Sequence, residues 1–137
     1  MKQRPVNNND SLRRLAIWII LLHVIVAGAH SLAHIELNIL MNSWQNAYIF
    51  IVITLAPVVS AFLIWKRKRL GYMILLFSMV GALLFGGYYH FFAPGADNVA
   101  VVGHHATARL FQVSAVLLAL NEIAGVIAGV VGLSNLK

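Results

Sequence analysis

Four long apolar runs, separated by short polar or basic stretches, constrain this chain more than any other feature. They extend from about Leu15 to Leu37, Ala47 to Trp65, Leu70 to Phe92 and Thr107 to Leu133. Crossing the hydrocarbon core of a bilayer takes about 20 mostly apolar residues in a helix. The four runs therefore predict an all-α protein, an integral membrane four-helix bundle with four transmembrane helices. Residues 1–137 form a single four-span domain on this reading, with no internal repeat. Pro57 falls inside the second run, where a kink is expected because proline has no N–H to give.

Composition agrees. Hydrophobic residues make up 61% of the 137 and charged residues 10%, whereas a soluble domain carries about 25% charged residues. The net charge of +6 would suit nucleic acid if the charges formed a patch. They sit between the apolar runs instead, so the lipid bilayer is the expected partner and nucleic acid is not. The chain has no cysteine, which excludes disulfides, thiolate metal sites, iron–sulfur clusters and thiol catalysis. The opening MKQRPVNNNDSLRR is basic and polar, as at the start of a signal peptide. The apolar run behind it is too long for one and is followed by no small-residue cleavage site, so it reads as a retained span.

Lysine and arginine set the expected orientation. Lys2, Arg4, Arg13 and Arg14 precede the first run, Lys66, Arg67, Lys68 and Arg69 fill the second connection, and Lys137 ends the chain. These nine basic residues fall on one side, which predicts both termini in the cytoplasm of a bacterial or archaeal cell, with the chain in its cytoplasmic membrane. Arg109 alone lies on the other side, where it is expected to reach the surface or to pair with Asp97.

Residues 23 to 36 read HVIVAGAHSLAHIE. A helix turns about 100° per residue, so His23, His30 and His34, seven and four apart, share one face. His23 lies roughly 13 Å beyond Arg14, near mid-membrane, and His30 and His34 lie in the outer half. In the third run Ser78, Ala82, Gly86 and His90 repeat every four residues. Small residues so spaced allow close helix approach, so His90 should point into the bundle. His104 and His105 follow in the outer connection with Asp97. Five histidines thus gather at one depth.

Neutral imidazole suits iron, copper, zinc and nickel. The expected metal ligands are His30, His34, His90 and His104, with His105 and Asp97 as further candidates and Glu36 as another carboxylate. The expected cofactor is a transition metal (Fe, Cu or Zn), acting in redox chemistry on a small or lipophilic substrate. With zinc the reaction would be hydrolysis, with Glu36 as base. A simpler alternative has the same histidines hydrogen-bonded to one another or to backbone at the membrane surface. Glu122 sits in mid-run, on a face with Ala108, Ala115, Gly125, Gly129 and Gly132. A carboxylate at that depth is costly, so Glu122 should be protonated or paired. A His23–Glu122 contact, direct or through water, is expected, serving as a proton relay, as part of a quinone or substrate pocket, or as a structural polar pair.

The HSLAH segment and the later GHH resemble in part the histidine boxes of membrane fatty-acid desaturases and hydroxylases. HxxxH is matched by His30 and His34. The His104–His105 pair lacks the histidine that precedes HH in those boxes, and the inferred face is the opposite one, so their di-iron chemistry is not carried over. Four spans with histidines on the first and third are also similar in architecture to small b-type membrane cytochromes. That likeness implies haem b held by His90 with His30 or His34, and electron transfer. A third reading is a non-catalytic accessory subunit or metal-handling protein. Its small-residue helix faces would then serve a homo-oligomer or a larger membrane complex.

Overall fold

The computed structural model describes residues 8–135 and is all-helical. Its four long helices are α1 (Asn8–Glu36), α2 (Ser43–Trp65), α3 (Arg69–Phe92) and α4 (Ala106–Asn135). All four are long and apolar enough to cross a membrane. They outrun the apolar stretches because polar turns continue them. Helix α1 begins with Asp10 in its first turn, where a carboxylate favours the helix dipole. Helix α2 is started by a reciprocal cap: the Gln45 N–H donates to Asn42 Oδ1, and the Asn42 N–H to Gln45 Oε1.

The helices form a ring in the order α1, α4, α3, α2. The α3–α4 seam is close because glycines line it. A Cβ on Gly129 would sit 2.9 Å from Leu76 Cβ and 3.0 Å from Leu76 Cα. Ala108, Ala115, Gly125, Gly129 and Gly132 are buried, as are Ser78 and Ala82. The small-residue faces are thus occupied inside the bundle.

One end of the ring carries the basic residues Arg13, Arg14 and Lys66 to Arg69. Asp10 joins α1 to the α2–α3 turn there, 3.0 Å from Arg67 and 3.4 Å from Arg13. Lys2, Arg4 and Lys137 lie outside the described residues. The packed core, including Ile20, Ile64, Leu75 and Met79, fills this basic half. The other half, the histidine end, is built differently. Helix α1 packs on α2 through Ala56–Trp65 and through a His23–Ile53 hydrogen bond, and beyond these the two part.

Two stretches are wound more loosely than an α-helix, Ile49–Leu55 in α2 and Tyr88–Phe92 in α3. The Ala56 N–H reaches back five residues to Ile51 O, and the Ala93 N–H reaches Tyr88 O at 2.7 Å. The first stretch abuts Pro57, which is where a distortion is expected. The second carries His90. Such wide turns occur mostly singly and often at functional sites.

Candidate metal centre

His30, His34 and His90 come together at the histidine end. Their spacing in α1 puts His30 and His34 one turn apart on one face, and α3 brings His90 across. His30 Nε2 lies 3.2 Å from His90 Nε2 and 3.1 Å from His34 Nε2. One ligand atom from each of the three falls within 4.8 Å of the others. His30 and His90 are buried, and His34 is half-buried.

The hydrogen bonds around the cluster fix which nitrogens carry lone pairs. Ser114 Oγ lies 2.6 Å from Leu110 O and 3.0 Å from Phe111 O. With the hydroxyl proton on one of these carbonyls, Ser114 accepts from His30 Nδ1–H, at 2.8 Å. His90 Nδ1 lies 3.1 Å from the main-chain carbonyl of Asp97, and donates to it, since a carbonyl only accepts. Both rings then present unprotonated Nε2 atoms to each other. Nitrogens this close, at 3.2 Å, are brought together by a proton or a metal ion between them, and His34 Nε2, 3.1 Å from His30 Nε2, is a further donor or ligand. Roughly 2.0–2.1 Å metal–nitrogen bonds in a tetrahedron set ligand atoms about 3.3–3.4 Å apart, close to the two distances from His30 Nε2. A partner on the far ring nitrogen that fixes the tautomer is the usual support of a metal-bound histidine.

Asp97 stands beside the cluster. Its Oδ1 is 3.2 Å from His34 Nε2 and 3.1 Å from His90 Nδ1. Neither contact is aligned as a hydrogen bond, and both carboxylate oxygens are buried with no hydrogen-bond partner. A buried unpaired carboxylate is expensive, and a cation on the three histidines would compensate it. Phe111, fully buried, backs all three rings, with centroids 4.7 Å from His30, 5.0 Å from His34 and 5.4 Å from His90. The connection between α3 and α4 is pinned by Gln112, whose Nε2 donates to Val99 O at 2.8 Å and to Gly103 O at 3.2 Å.

The other sequence candidates lie elsewhere. His104 and His105 are exposed and are not in the cluster. His105 Nδ1 instead accepts the Ala108 N–H at the start of α4, at 3.4 Å. The first turn of a helix leaves N–H groups without partners, which is what draws that ring away. Glu36 accepts the Thr107 hydroxyl at 3.0 Å, tying the end of α1 to α4. Arg109 is exposed, and Asp97 meets histidines in its place.

His23 does not hydrogen-bond directly to Glu122. Its Nε2–H donates to Ile53 O at 3.0 Å. Ile53 lies in the loosely wound stretch, and Pro57, four residues on, has no N–H to give that carbonyl. Glu122 is 4% exposed and faces a cavity of about 500 Å³ that extends to the three histidines. Ser114, Phe111 and Gln112 were not singled out by sequence reasoning. A serine in an apolar run carries little signal by itself. The available clue is its spacing: Ser114 lies seven residues before Asn121, so the two polar side chains share one face of α4, and both are buried.

No family model matches the chain, and no similar curated protein or solved structure is found.

Proposed function

We propose that this chain is an integral membrane metalloprotein that holds one transition-metal ion on His30, His34 and His90. The observation that carries the reading is the convergence of one ligand nitrogen from each of His30, His34 and His90 within 4.8 Å, with two of the gaps at 3.1 and 3.2 Å. Convergence of three nitrogens on one point favours a bare ion. A haem would need two axial nitrogens on opposite faces of a slot wide enough for the macrocycle. In the membrane the basic end would face the cytoplasm, by the lysine and arginine bias, and the metal would lie near the outer surface.

When bound, iron or copper would supply electron transfer, and zinc would supply Lewis acidity. The chain's own contributions are definite. Ser114 and the Asp97 carbonyl orient the two buried imidazoles. The Asp97 carboxylate offsets the ion's charge. Phe111 keeps water from one side, and the cavity gives a lipophilic or small substrate access from the other. With iron or copper, the reading becomes an oxidoreductase acting on such a substrate.

The test is elemental analysis for Fe, Cu, Zn and Mn, with a visible spectrum, on protein purified in mild detergent. The comparison is a His30→Ala/His34→Ala variant. Near-stoichiometric metal that disappears in the variant supports the reading, and an intense Soret band would replace it by haem. Folded wild-type protein that takes up none of these metals when supplied with them would sink it. Tight co-purification of a larger complex with metal-free chain would favour an accessory subunit.

A further inference from the structure

The cavity ends, on the side away from the histidines, at Glu122. Ser114, beside His30, and Glu122 are separated by about 12 Å along α4, so the two ends are distinct places. Among the described residues Glu122 has no hydrogen bond and no ion pair. Its oxygens are not among the sealed, unpartnered atoms, so they reach the cavity space. No lysine or arginine lines that space, and Arg109 is about 20 Å away along α4.

The walls are apolar, with Ile49, Phe85 and Leu118 among them. The space is open on one flank. Ser31 and Ile35 of α1 and Thr54 of α2 line it and are exposed. The seam between α1 and α2 is closed by Ala56–Trp65 and the His23–Ile53 bond, and parts beyond them. In a bilayer this gap would open sideways into lipid, with the Asn38–Met41 connection at its outer end. A volume near 500 Å³ is that of an ordinary small-molecule site.

From this geometry we propose that the cavity binds a lipophilic organic cation, an apolar amine or onium ion, drawn from the bilayer and paired with Glu122. Apolar walls alone would accept any acyl chain. A buried carboxylate with no partner from the chain adds selectivity for positive charge, because removing one member of a buried charge pair is costly. The proposal rests on the membrane placement and is independent of the metal.

The experiment is equilibrium binding of radiolabelled tetraphenylphosphonium to the full chain in detergent. Sedimentation of the chain with alkali-washed membranes checks its placement separately. Saturable one-to-one binding is expected, weakened roughly tenfold or more in Glu122→Gln. Glu122→Asp, which keeps the charge, should restore most of it. Uncharged triphenylphosphine oxide should bind the wild type roughly tenfold less well, and chelator should not change tetraphenylphosphonium binding. No saturable binding, equal binding by Glu122→Gln, equal binding of the neutral probe, or loss on chelation would each overturn the proposal.

Discussion

His23 and Pro57 are linked through a single carbonyl: the histidine gives its Nε2–H to the Ile53 oxygen that the proline leaves without a helical donor. His23 is fully buried. An unsatisfied buried acceptor costs about 1–3 kcal/mol. His23→Ala should therefore destabilise the bundle by about that amount. Pro57→Ala supplies an N–H for Ile53, so His23→Ala should cost less in that background. Thermal unfolding of the four proteins in one detergent measures the coupling, and additive losses would show that the carbonyl is not the link.

The same carbonyl shows where sequence reading succeeds and where it stops. The apolar runs give four helices because length and hydropathy decide them locally. His30 and His34 share a face by helical periodicity, and the four-residue spacing from Ser78 carries His90 inward. What lies beyond local periodicity is the partner on another helix. His23 and Glu122 look like a pair because they are ionisable at similar depth, yet a proline on α2 gives His23 another acceptor. His104 and His105 look like ligands by type and position, yet His105 turns to the Ala108 N–H at the start of α4 and both rings are exposed outside the cluster. The tautomers of His30 and His90 depend on a serine and a main-chain carbonyl, neither of which has a motif.

Ser114 holds the His30 ring by accepting its Nδ1–H at 2.8 Å. Supporting groups of this kind are worth about 10–100-fold in metal affinity. Ser114→Ala should weaken metal binding by about that factor while the protein still folds, since the change is small and a neighbouring Phe111 keeps the ring packed. Competition against a chelator of known affinity reads the change. An unaltered affinity would mean that Ser114 does not set the His30 tautomer.

Asp97 and the two exposed histidines should separate cleanly. Asp97→Asn removes the buried carboxylate charge beside the cluster and should cost metal affinity by roughly 10-fold or more. His104→Ala/His105→Ala should leave it within about threefold, because neither ring reaches the cluster. The same chelator competition compares them. Strong loss in the His104/His105 variant would bring the connection back into the ligand set.

Metal should also stabilise the fold, since the three ligands come from α1 and α3 and are not preassembled in the unfolded chain. Binding to the native state alone adds about 2.7 kcal/mol when free metal is about 100 times its Kd. The unfolding midpoint should rise with added metal in the wild type and stay flat in His30→Ala/His34→Ala. A rise of equal size in both would place the bound metal elsewhere on the chain.

Two glycines, Gly129 in the α3–α4 seam and Gly28 on α1, should respond in opposite directions. At Gly129 a Cβ would meet the Cβ and backbone of Leu76 at 2.9–3.1 Å, and backbone cannot rotate aside. Gly129→Ala should thus push the helices apart and cost about 1–3 kcal/mol, the usual penalty of overpacking. At Gly28 nothing lies within 4 Å of the added atom. There alanine lowers the entropy of the unfolded chain and raises helix propensity, so Gly28→Ala should stabilise by about 0.5–1 kcal/mol. Unfolding of both variants under one set of conditions decides it. If Gly129→Ala is as benign as Gly28→Ala, close contact with Leu76 is not what holds the seam.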